Sequence, residues 1–165
     1  PSRPGDHPFP PIEQWHWTQH NPFKAVYPSR HRSVYLMTQR LQRHPYLALF
    51  DGPDTNTTTD SRASSTVPLQ ALFWMNNEFV HERAATFATR LIETSSDPAQ
   101  RIDRAYWLAY SRAPQPVEFQ RSLAYLEECE HELRRAGVPG EQVESDAWLS
   151  FAKTLVSANE FVYID

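Results

Sequence analysis

The sequence predicts a mainly α protein: about five helices in an irregular bundle, an extended aromatic-rich N-terminal arm, and at most a minor β element. Three observations predict it. Apolar residues recur at helical spacing through most of the chain after Thr66. Cap-plus-proline starts open helices at Thr66 with Pro68 and at Asp97 with Pro98, and Gly137 followed by Pro139 closes one. Half of the fourteen prolines fall within the first 32 residues, where missing N–H donors and ring clashes oppose helix.

The elements follow in chain order. Residues 1–32 form the arm. It carries Phe9, Ile12, Trp15, Trp17, Phe23, Val26 and Tyr27, too many rings for a disordered tail, so the reading is an ordered arm anchored by its aromatics. Residues 33–65 are loop-rich. Ser33 to Met37 reads as a short strand, with a helix through Arg43 as the alternative, and Pro45 ends either. Pro45 to Phe50 reads as a short helical turn.

Residues 66–165 are the expected helical core. Leu69, Leu72, Phe73 and Asn76 share one helix face. Asn77 then caps a second segment, Glu78 to Ile92, in which Phe79, Val80, Ala84, Phe87, Ala88 and Leu91 recur at helical spacing. The next helix, Pro98 to about Tyr110, turns Ile102, Ala105, Tyr106 and Ala109 inward. Pro116 opens a long helix to about Ala136 with Phe119, Leu123, Leu126, Cys129 and Leu133 as its stripe. The last helix runs from about Gln142 to Ala158 and buries Trp148, Phe151, Ala152, Leu155 and Val156. Trp107 and Trp148 both read as core.

Composition bounds the function classes. A single domain of 165 residues buries roughly 70% of its unfolded surface and needs no disulfide or metal to fold. Net charge is −4 and the sixteen Lys and Arg are dispersed, which argues against nucleic acid as a partner. One cysteine, Cys129, excludes an internal disulfide and a Cys-based zinc site. No apolar run of about eighteen residues exists to span a membrane. The opening PSRPGDHPFPP has no apolar core and is no signal peptide. It reads as the interior of a longer chain.

Several segments carry a family resemblance: QHNPF with AVY (Gln19 to Tyr27), RSVYLMTQR with LALFDGPD (Arg32 to Asp54), TVPLQALFWMNNEFV (Thr66 to Val80), RAYWLAYSRAPQPVE (Arg104 to Glu118) and LVSANEFVYID (Leu155 to Asp165). The chain resembles the C-terminal part of the planctomycete-specific domain of unknown function found after planctomycete cytochrome c-like domains. The resemblance implies a large periplasmic or cell-surface parent protein that joins this domain to a c-type cytochrome-like domain. It carries over no catalytic residue. A heme site would lie upstream, since C-x-x-C-H is missing here.

Candidate sites are few. Asp51, Asp54, Asn56 and Asp60 form an oxygen-rich loop suited to calcium, but the spacing is not an EF-hand, and Asx-turns and caps explain it equally. His16 and His20 are four apart, the spacing of paired zinc ligands on a helix, without an evident third ligand. Trp15, Trp17, Tyr27, Tyr46 and Trp74 offer aromatic faces for sugar rings, or simply core and arm anchoring. No G-x-S-x-G elbow accompanies Ser64, Ser65, Thr66 and His81. Glu127, Glu128 and Glu130 read as a solvated face, with Glu130 and Arg134 as an i,i+4 pair. Arg62 is the one cation of the loop between Asp51 and Thr66. It is expected to be largely buried and to donate to Asp51, Asp54 or the carbonyls ending the Leu47 to Phe50 run; an anion or substrate clamp is the sharper alternative.

The expected function is a non-catalytic interaction or carbohydrate-binding module of a larger extracytoplasmic, cytochrome-associated protein. Its partners would be other domains of the parent chain and polysaccharide. No cofactor is expected in this stretch, with calcium at the Asp51 loop as the exception to test. The alternative is part of a hydrolase or oxidoreductase whose active site is completed by upstream domains.

Overall fold

A computed structural model of the chain describes residues 11, 13, 35, 43–52, 54, 58 and 68–163. Seven helices occur among them: α1 (Pro45–Leu49), α2 (Pro68–Asn76), α3 (Glu78–Ile92), α4 (Pro98–Tyr110), α5 (Pro116–Arg135), α6 (Gly140–Val156) and α7 (Asn159–Val162). No strand occurs among the described residues, and the fold is mainly α. The expected strand at Ser33 to Met37 falls, apart from Tyr35, outside them. No helix among them is long and apolar enough to cross a membrane. The chain divides into two compact units, Pro1–Gln70 and Ala71–Asp165.

In the first unit the described part centres on α1. Pro45 supplies its first turn, and the His44 imidazole caps it by accepting from the Tyr46 amide at 3.2 Å. The chain reverses immediately after. Asp51 adopts φ 53°, the Gly52 amide donates back to the Leu47 carbonyl at 2.6 Å, and the Arg43 guanidinium donates to the Gly52 carbonyl. Gly52 is required by space: a Cβ there would lie 2.7 Å from the Leu47 oxygen and 2.8 Å from its Cβ. The buried Gln70 amide donates to the Leu49 carbonyl at 2.9 Å.

The second unit holds the core. Caps expected from sequence set its helix ends. The Asn77 side chain accepts from the Phe79 amide at 3.0 Å, and that of Asp97 from the Ala99 amide at 2.9 Å. Gly137, at φ 84°, ends α5. Its amide donates to Arg134 and that of Val138 to Leu133, both at 3.1 Å; this is the paired closure that a left-handed residue past a helix end permits. Ser111 ends α4 in the left-handed region at φ 58° without being glycine.

Helix α6 is the centre. Val143, Ala147, Trp148, Phe151, Ala152, Leu155 and Val156 are all buried. Its most extensive pairing is with α3, through Val80, Ala84, Ala88 and Leu91, and its next with α5. Trp148 is 2% exposed and meets Phe151 edge-on at 5.6 Å between ring centroids. Ile102, Ala105 and Tyr106 of α4 complete the cluster, with Phe119, Leu123, Cys129 and Leu133 of α5 half-buried against it.

Four expectations need correction. Trp107 is 54% exposed rather than core; its neighbours one position either side, Tyr106 and Leu108, already fill the space beneath α4. Phe79 is exposed, because the Asn77 cap starts α3 so that Val80 faces inward. The apolar face of α2 is not its buried face: Leu69 and Leu72 are exposed, while Gln70 is buried and Phe73 and Trp74 are half-buried. The last helix also stops at Val156, and the aromatic ending forms the separate α7.

The two tryptophans of α4 and α6 give a direct check. Trp148→Ala should cost about 3–5 kcal/mol, and Trp107→Ala less than about 1 kcal/mol, both read from urea midpoints at unchanged slope. Equal losses would contradict the packing described. Gly52→Ala should destabilise the α1 reversal, seen as faster amide exchange at position 52 and at Phe50 with little change in the α3–α6 amides.

Candidate functional site

The densest polar cluster gathers where α4 ends and α5 begins. The local sequence builds it. Ser111 turns the chain, Pro114 and Pro116 keep the link short and start α5, and Glu118 lies in the first turn, where a carboxylate accepts from the preceding amide. The Gln115 amide donates to Glu118 Oε2 at 2.7 Å. The Arg112 guanidinium then donates to both Glu118 oxygens, at 2.7 and 2.8 Å. On its other edge it donates to both Glu160 oxygens on α7, at 2.7 and 2.8 Å. Its plane lies over Tyr106 and Tyr110, 5.6 Å from each ring centroid.

The electrostatics follow. The Arg112 hydrogen bonds, and the Gln115 amide after them, hold the Glu118 carboxyl down at about 2. Arg112 is itself pushed further up by Glu118 and Glu160. Burial, followed by the neighbouring Tyr106 and Glu160, pushes Tyr110 up to about 12, and its hydroxyl donates to the Leu155 carbonyl at 3.0 Å. An acid held ionised on a doubly forked arginine does not donate protons at neutral pH, and a neutral tyrosine committed to a backbone carbonyl is no nucleophile. The cluster is a clamp joining α4, α5, α6 and α7.

A second tie lies across the core. Arg101 is 5% exposed. It donates to the Ser95 carbonyl and, at 2.6 Å, to Glu144 of α6, and its guanidinium lies 5.3 Å from the Trp148 ring centroid. Sequence reading missed both arginines. The Q-x-x-E spacing at Gln115 and Glu118 was a signal for one end of the first clamp. Nothing local marks Glu160, 48 residues from Arg112.

Of the site residues expected from the sequence, Asp51, Asp54, Tyr46 and Trp74 lie among the described residues. Asp51 and Asp54 flank Gly52 after α1, both half-buried. Tyr46 is partly exposed and packs a tilted ring on Phe50 at 4.9 Å and an edge on His44 at 6.4 Å. Trp74 is half-buried against the core. Burial lowers the His44 imidazole below its ordinary range. Asn56, Asp60, Arg62, His16, His20, Trp15, Trp17 and Tyr27 lie outside the described residues. Among the described residues, the Leu49 and Gly52 carbonyls accept from Gln70 and Arg43. No group of three or more His, Cys, Asp or Glu that could hold a metal gathers among them. The Glu130–Arg134 pair forms at 2.6 Å.

The model of one protein family, PSD1, protein of unknown function (DUF1553), matches residues 2–126. The chain belongs to this family. The PSD1 match ends inside α5, whereas the core of the second unit depends on α6, which lies beyond it. No curated protein and no solved structure matches the chain.

The clamp predicts a pH dependence. Glu118 ionises at about 2 in the folded chain against an ordinary value of 4.5, so its stabilisation is complete above pH 4.5 and is lost as pH falls from there toward 2. Arg112→Met should remove most of that acid dependence, leaving the part due to the Gln115 amide, and cost about 1–2 kcal/mol, the partial exposure of all three side chains keeping the loss at the low end. Arg112→Lys should not restore it, because an ammonium cannot fork to two carboxylates. Urea titrations at pH 3 and pH 7 check both.

Proposed function

We propose that this PSD1 chain is a non-catalytic interaction module of a larger extracytoplasmic, cytochrome-associated protein, and that it docks another domain of its parent chain. The observation that carries the reading is the exposure of Leu72, Met75 and Phe79, at 50%, 57% and 52%. Leu72 and Met75 are three apart on α2, and Phe79 is the second residue of α3, two after the Asn77 cap. Burying one such side chain fully contributes about 1.5–3 kcal/mol. Covering the exposed halves of three therefore contributes about 2–4 kcal/mol, enough for the centre of a modest interface. The family resemblance supports a cytochrome c-like neighbour as the partner. The polar clusters of the second unit support a non-catalytic role, since their charged groups are committed to joining helices.

Polysaccharide is the second reading, favoured by the partly exposed Tyr46, tilted against Phe50 and edge-on to His44. An aromatic face of this kind suits a sugar ring.

Titration of the chain against the cytochrome c-like domain of its parent should give saturable binding. Leu72→Glu with Met75→Glu should weaken it at least about tenfold while the circular dichroism stays native. Unchanged affinity in that variant would remove this face as the docking surface. A glycan array run with and without calcium tests the second reading, with Tyr46→Ala as its control.

A further inference from the structure

We propose that Lys153, His81 and Ser157 form a binding site for a small oxyanion, of the phosphate or carboxylate class, at one end of the α3–α6 seam. Lys153 Nζ lies 3.2 Å from His81 Nε2, both groups half-buried. An ammonium has no acceptor lone pair, so it donates and the imidazole accepts. That places the imidazole proton on Nδ1. Two further N–H donors remain on Lys153, and among the described residues they have no partner; no carboxylate faces them. A half-buried cation without an anion is costly in a folded protein, and a contact with a neutral ring offsets this only in part.

A third polar group lies one turn further along the same end of α6. Ser157 follows Lys153 by four residues and still has helical backbone angles at the end of α6, so the two share a face. Its hydroxyl oxygen is buried and has no hydrogen-bond partner among the described residues. A buried hydroxyl without a partner is a group that a ligand can satisfy. The contact of His81 with Lys153 sets the start of α3 beside the end of α6, so the positive end of α3 lies at the same point. An oxyanion oxygen entering between them would favour a second proton on the ring, at Nε2, so that ammonium and imidazolium both donate to it while a second oxygen accepts from Ser157.

The nearby acids are few, and most are paired or distant. On α3, Glu78 is one turn before His81, and Glu82 is paired with Arg83 at 3.4 Å. On α6 the nearest acid before Lys153 is Asp146, two turns away, and on α7 Glu160 is held by Arg112. The plainer role for Lys153 is to offset the negative end of α6. That role requires no anion, and the two differ in what an added anion does.

The test is a histidine-ring NMR titration of the whole chain, with the His81 resonance assigned through His81→Gln. Inorganic phosphate and acetate are each added against sodium chloride at equal ionic strength. Phosphate or acetate should raise the His81 titration midpoint, with half-saturation at about 1–10 mM, and the comparison of the two identifies the oxyanion class. Lys153→Gln should abolish the response, Ser157→Ala should weaken it, and Lys153→Arg should keep it. Circular dichroism confirms that each variant is folded, and the arginine variant preserves the test if the glutamine variant unfolds. A His81 midpoint that moves equally in chloride, phosphate and acetate overturns the proposal. So does an undiminished response in folded Lys153→Gln.

Discussion

The second unit depends on one constraint: α6 must be covered on nearly every side. Seven of its residues are buried, and they span both turns above and below Trp148. A helix with so wide an apolar surface is stable only when other helices surround it. Helix α3 takes the largest share with the small residues Ala84 and Ala88, which let the two backbones come close around Val80 and Leu91. Helices α4 and α5 fill the remaining sides. The short connections between them, shaped by Ser111 and Gly137, follow from the same requirement.

The charged groups complete what the core begins. Arg101 crosses from α4 to α6 over the face of Trp148, so one buried guanidinium serves a backbone carbonyl, a carboxylate and an aromatic ring. Arg112 does the corresponding work at the other end of α4, where four hydrogen bonds to two carboxylates fix α7 against the start of α5. Arginine suits both places because its planar fork meets carboxylates two atoms at a time and stacks on rings. These groups are committed to the fold. The functional readings therefore rest on what the helices leave exposed, together with Lys153, a half-buried cation that faces a histidine instead of an acid.

The helix starts and stops were legible in the sequence because they are local. Asn77 and Asp97 reach amides two residues away, and at Gly137 the amides of Gly137 and Val138 close α5 through carbonyls three and five residues before them. Such contacts need no knowledge of the rest of the chain. The inner faces of α3 and α6 were legible for a related reason: a stripe repeated over four turns averages out single exceptions. At α2 the same reasoning failed. Nine residues give little periodicity, and the buried position went to Gln70, whose amide meets the Leu49 carbonyl.

By itself, then, the sequence determined the helical class, the capped helix ends at Asn77, Asp97 and Gly137, the α6 stripe with Trp148 at its centre, and the PSD1 family through its motifs. Only the tertiary structure decided which aromatics face solvent. Trp107, Phe79 and Leu72 have the same hydrophobicity as buried neighbours, and their exposure depends on where surrounding helices leave no room. It also decided the partners of Arg101, Arg112 and Lys153. Those partners lie 43, 48 and 72 residues away, and a pairing across such a separation is set by the packing of whole helices, which no short window of sequence contains.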